Sequence, residues 1–200
     1  MLTASKKMST RTMVKTSVLS VLAFLIMYFE MPLWFTPPFL KVDLSDIPAL
    51  IGAFSLGPVA GVVIELIKNI LNVAIEGTTT GAVGELANFF VGGIFVFVAG
   101  VIYKKDRTFK GAIIGMLVAT VAMTAAASIL NYYFLIPFYA KLFGAPVETF
   151  VEMGSKVNKY VTDYRSFILF GIVPFNFLKG IMVSAITIPL YKRVSPILHK

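Results

Sequence analysis

The sequence predicts an all-α integral membrane protein, a six-transmembrane-helix bundle with both termini cytoplasmic. Three observations point there. Of its 200 residues, 58% are hydrophobic and only 14% charged, with a mean hydropathy of +0.85, more apolar side chain than a soluble domain of this length could hide. The apolar residues fall into runs of helical length. Basic residues gather in alternate connecting segments, the signature of cytoplasmic loops.

The spans follow in order. The basic start "MLTASKKMSTRTMVK" resembles a signal-peptide n-region, but no small-x-small cleavage site follows, so Val14–Phe29 is expected to be an uncleaved first span. Ile47–Leu56 is only about 15 Å of helix at 1.5 Å per residue; it either recruits "FLKVDLSD" or stays short and buried in protein. Gly57-Pro58 separates it from Val59–Ile75, with Pro58 suited to the first turn of the new helix. Ala82–Tyr103, Gly111–Pro137 and Phe167–Leu190 complete the set. No internal repeat or linker interrupts the chain, so residues 1–200 read as one transmembrane domain.

With the N-terminus inside, 11 of the 18 basic residues are cytoplasmic: Lys6, Lys7, Arg11, Lys15, Lys104, Lys105, Arg107, Lys110, Lys192, Arg193 and Lys200. Lys68 and Lys179 lie within spans. This asymmetry accounts for the net charge of +8 without invoking nucleic acid. Cysteine is absent and the one histidine is His199, which argues against disulfides, a metal site and histidine catalysis. With no nucleophile–base pair, an enzyme is not expected. No nucleotide-binding motif occurs either, so any pumping energy is expected to come from partner subunits or from ions.

Polar residues inside spans are costly in lipid and therefore informative. Glu65, Asn69, Asn72 and Glu76 form one stripe; Gly81, Glu85, Asn88 and Gly92 repeat its offsets. Thr120, Thr124, Ser128 and Asn131 mark the fifth span, Asn176 and Lys179 the sixth. By depth they line a cavity open to the outside, its floor sealed by residues such as Val96, Phe97, Val98 and Ile186. Lys179 lies near the ~15 Å half-thickness of the core, whereas a lysine stem reaches only ~6 Å. It therefore pairs with a carboxylate such as Glu85, donates to a ligand, or is neutral. Glu65 and Lys68, three residues apart, read as a structural ion pair.

The first outer loop, "EMPLWFTPPFLKVDLSDIP", is stiffened by four prolines and rich in aromatics. It fits an interfacial belt or a lid over the cavity. "EGTTTGAVGELANF" places hydroxyls and free helix N–H groups at the start of the fourth span.

The stretches "PPFLKVDLSDIPALIGAFSLGPVAG", "TTTGAVGELANF", "NYYFLIPFY" and "PFNFLKG", in that order, resemble the riboflavin-specific S-components of energy-coupling-factor (ECF) vitamin transporters. The resemblance implies riboflavin capture from the extracellular side and delivery inward with a transmembrane coupling protein (EcfT) and two ATPases (EcfA and EcfA′), in a prokaryotic cell membrane and with no cofactor. By matching positions it implies that Phe39, Leu40, Lys41, Asp43, Asn131, Asn176 and Lys179 contact riboflavin, with Glu85 and Asn88 beside them. The Ala-x-x-x-Ala coupling pattern of the family is replaced at Ser17 and Val21, leaving Thr16, Ser17 and Ser20 as the small-residue partner face. The alternative is an ion-coupled secondary transporter of another small solute, with Glu65, Lys68 and Lys179 as a charge relay; no inverted repeat supports it.

Overall fold

The structure is a computed structural model that describes residues 9–198. The cytoplasmic placement expected of both chain ends concerns segments partly outside those residues. The described chain runs α1 (Thr10–Met27), β1 (Met31–Pro32), β2 (Lys41–Val42), α2 (Asp46–Leu56), α3 (Pro58–Glu76) and α4 (Val83–Lys105). Then come α5 (Phe109–Leu142), α6 (Val147–Ser155) and α7, a candidate span over Tyr164–Tyr191 whose helix continues to Leu198. Five of these helices, α1, α3, α4, α5 and α7, are long and apolar enough to cross a membrane.

The expectation of six spanning helices therefore changes in two places. The second helix does not extend into "FLKVDLSD"; that segment instead pairs two residues of β1 antiparallel with β2, and α2 begins at Asp46. Its 11 residues are tolerable because α1, α3, α4 and α7 surround it, so its unpaired backbone ends meet protein and not lipid. An additional helix, α6, lies between α5 and α7 in a segment read as outer loop.

Local chemistry sets the ends. Ser9 caps α1 by accepting the Thr12 N–H at 3.2 Å, and Thr108 caps α5 by accepting that of Gly111 at 3.0 Å. Pro58 opens α3 directly after Gly57, whose φ of 109° suits only glycine. Lys104 and Lys105 close α4, where cations offset the helix dipole.

The core centres on α2, hydrophobic on every side as a wholly buried helix must be. Ile47, Leu50, Ile51 and Phe54 pack with Leu19, Ile64, Phe95, Val96, Met116, Met123 and Val183. Gly61 lets α3 lie against α2: a Cβ there would sit 2.7 Å from that of Ala53. At one end Tyr103 and Tyr191 share a hydroxyl–hydroxyl hydrogen bond beside Phe54. A second cluster of Ile136, Phe150, Phe167 and Ile172 joins α5, α6 and α7 at the other end. Val18, Leu25, Ile70, Phe90, Val121 and Leu169 point outward, as side chains facing lipid do.

Candidate ligand-binding site

Two helical irregularities shape the site. The ladder of α5 passes into a π-helical turn at Asn131–Leu135, and that of α7 does so at Ile168–Ile172. Such turns re-aim side chains and recur at functional sites. The Tyr164 hydroxyl steadies the first by donating to the carbonyls of Tyr132 and Asn131, at 2.6 and 3.1 Å. Asn131 and Asn176 each donate an amide hydrogen to the carbonyl four residues back, Ala127 at 2.8 Å and Ile172 at 2.9 Å.

A cavity of about 590 Å³ opens at this end, large enough for a drug-sized ligand. Of the sequence-predicted ligand residues, it gathers Phe39, Leu40, Lys41, Glu85, Asn88, Asn131, Asn176 and Lys179 in its lining. Asp43 is absent from that wall: it is buried behind Lys179, accepting the Ser45 backbone N–H at 2.8 Å and its hydroxyl. Asn72 and Glu76 line the cavity too, as the α3 stripe implied. The hydroxyls of Thr120, Thr124 and Ser128 bond to their own helix four residues back, so they settle the backbone of α5.

The partner of Lys179 is not Glu85. Its ammonium lies 3.1 Å from Asp43 Oδ2 and 3.3 Å from Asp46 Oδ2, while Glu85 accepts the Thr78 hydroxyl at 3.1 Å at the start of α4. Asp46 reaches across to Lys68 Nζ at 2.5 Å, and Lys68 also meets Glu65 Oε2 at 2.7 Å and the Ser45 hydroxyl at 2.7 Å. The Glu65–Lys68 pair thus exists as expected, but as part of a buried network of two lysines and three carboxylates. Gly92 is needed beside it: a Cβ there would fall 2.6 Å from Glu65 Oε2. Burial works against ionisation of Asp43, but the Lys179 and Lys68 cations and the Ser45 bonds outweigh it, holding its carboxyl below the usual carboxylate range. The residue missed by sequence reasoning is Asp46. As an acid in the first turn of an apolar helix, it passes for a dipole partner on the outer surface, whereas it is fully buried and bridges both lysines.

Part of the first loop lines the cavity and part is exposed. Phe39 packs edge-on against Phe150 and Phe167, at centroid distances of 5.6 and 6.3 Å, and residues 39–41 form part of the cavity wall. Trp34, 83% exposed, turns away with Phe35 beside it. The floor is Phe95, Val96, Ala99, Met116 and Met123; Phe97, expected there, faces outward because α4 turns it to the opposite side. Of the expected partner face, Thr16 and Ser20 are buried within the bundle, Ser20 donating to the Thr16 carbonyl at 2.8 Å, which leaves Ser17 exposed. A three- or four-residue step keeps Thr16 and Ser20 on one face of α1, and that face packs inward.

The family described as "ECF transporter, substrate-specific component" matches residues 11–191. This chain belongs to that family. Among its relatives, the riboflavin transporter RibU of Staphylococcus aureus (strain TCH60) is 36% identical, over 95% of this chain and 93% of that one. The riboflavin transporter FmnP of Bacillus subtilis (strain 168) is 33% identical, over 94% of each. A solved structure, described as the S component of a bacterial ECF transporter, superposes with a TM-score of 0.74 at 36% identity, covering 95% of this S-component and 98% of the other. The S-component is thus a transporter subunit and not an enzyme, with several membrane-crossing helices.

Proposed function

We propose that this S-component is the high-affinity riboflavin-capture subunit of an ECF importer in the cell membrane. It takes the vitamin from the extracellular side and delivers it inward through a transmembrane coupling protein (EcfT) driven by two ATPases (EcfA and EcfA′). The observation that carries the reading is the convergence of Asn131, Asn176 and Lys179 from two helices on one cavity whose wall also includes Phe39 and Leu40. An isoalloxazine has broad apolar faces and a pyrimidine edge of carbonyls and an imide N–H, to which asparagines and a lysine are complementary. The names of the two relatives above support the same ligand.

In this reading Phe39 and Leu40 cover a ring face, Asn131, Asn176 and Lys179 meet the pyrimidine edge, and Lys41, Glu85 and Asn88 lie toward the ribityl chain. Asn88 supports this, since its amide oxygen is buried without a hydrogen-bond partner. Asp43 acts indirectly, by orienting Lys179. Membership of the ECF family sets aside the ion-coupled alternative for the linked Glu65, Lys68 and Lys179.

Titration of the purified protein with riboflavin, read as quenching of flavin fluorescence, tests the reading. Binding at nanomolar to micromolar concentration is expected, weakened at least about 100-fold in K179M/N176A by loss of charged and neutral hydrogen bonds. Unchanged affinity in that variant would overturn the site assignment.

A further inference from the structure

We propose that Glu76, at the end of α3, makes the cavity mouth select against phosphate monoesters of the flavin, so that the neutral vitamin is held in preference to its 5′-phosphate. This rests on the riboflavin reading and adds the residue that sets the charge of the accepted ligand. The ionisable carboxylates and lysines lining the cavity are Glu30, Lys41, Glu76, Glu85 and Lys179. Both cations are committed: Lys41 to Glu30 at 2.5 Å, and Lys179 to Asp43 and Asp46. Glu85 receives hydroxyl hydrogens from Thr78 and Thr80, which leave its charge uncompensated.

The backbone adds to the imbalance. Glu76 is the last residue of α3, where unpaired carbonyls form the negative end of the helix dipole. The donor-rich N-terminus of α4, the natural seat for a phosphate, carries Glu85 in its own first turn. A phosphate monoester bears about −1.5 to −2 at pH 7. Entering this mouth it meets Glu76 and Glu85, neither ion-paired among the described residues, and lysines already paired.

The test titrates riboflavin and riboflavin 5′-phosphate into wild type, E76Q and E76K at about 20 mM and about 300 mM salt, and at pH about 7 and about 5. The readout is the ratio of the two dissociation constants within each protein, which a general loss of fold or affinity does not move. Wild type is expected to favour riboflavin, with the gap narrowing about threefold in E76Q and about tenfold in E76K at low salt. It should also narrow at high salt, and at the lower pH where the ester sheds its second charge. Should E76K fail to fold, E76Q and the salt series decide. A ratio indifferent to substitution and salt overturns the role of Glu76, whereas wild type that does not bind riboflavin at all overturns the proposed function instead.

Discussion

Replacing Lys68 with methionine should destabilise the protein more than any change at its surface. The ammonium is fully buried, 2.5 Å from Asp46, 2.7 Å from Glu65 and 2.7 Å from the Ser45 hydroxyl. Methionine fills a similar volume but leaves three carboxylates against Lys179 alone. Glu65 Oε1 has no hydrogen-bond partner, and the nearest donor to Oε2 is the Lys68 ammonium at 2.7 Å, so Glu65 leans on Lys68. Removing one member of a buried ion pair costs about 3–5 kcal/mol. At about 2–4 °C per kcal/mol for a chain of this size, Tm should fall by roughly 6–20 °C. Trp34, the one tryptophan, is 83% exposed, so the melt is best followed by circular dichroism of detergent-purified protein. Neutralising the orphaned partner should recover part of the loss: E65Q/K68M is expected to melt above K68M, with a coupling of about 1–3 kcal/mol. A K68M protein melting within about 2 °C of wild type, or a double variant below the single one, would refute the network as a stability element.

Two further outcomes follow. Gly92→Ala puts a methyl group 2.6 Å from Glu65 Oε2 and should lower stability by about 1–3 kcal/mol, readable as a drop in Tm, whereas Gly93→Ala, whose nearest neighbour would be 3.9 Å away, should be nearly neutral. At the start of α7, Asp163 accepts the Ser166 N–H at 2.8 Å, and that bond, with burial opposing it slightly, holds its carboxyl below the ordinary value. Its contribution is therefore present above the unfolded carboxylate pKa of about 4 and lost as pH falls through the lowered folded value. Comparing acid melts of wild type and D163N checks this: the gap between them should close at low pH, and a constant gap would contradict it.

The sequence made the membrane class legible because lipid imposes a composition that can be counted. The site was legible in its helices, since Asn131, Asn176 and Lys179 are expensive enough in hydrocarbon to demand a common destination. Side-chain pairing was not legible. Helical spacing alone names several acids as possible partners of Lys179, Glu85 among them; only the three-dimensional path of the first loop brings Asp43 and Asp46 beside the lysine. The same blindness affected Thr16 and Ser20, where a small-residue spacing on α1 suits an external partner and an internal neighbour equally well. The helix count went astray at α6, nine residues whose polar character conceals two buried anchors, Phe150 and Gly154.

The solid packing under the cavity has a plain consequence for traffic. Phe95, Val96, Ala99 and Met123, all with zero exposure, lie beneath a basin whose walls come from helices continuing past it. Anything settling in this basin meets close-packed side chains on its inner side, so onward passage along the bundle would require either that packing to part or the basin itself to change the compartment it faces.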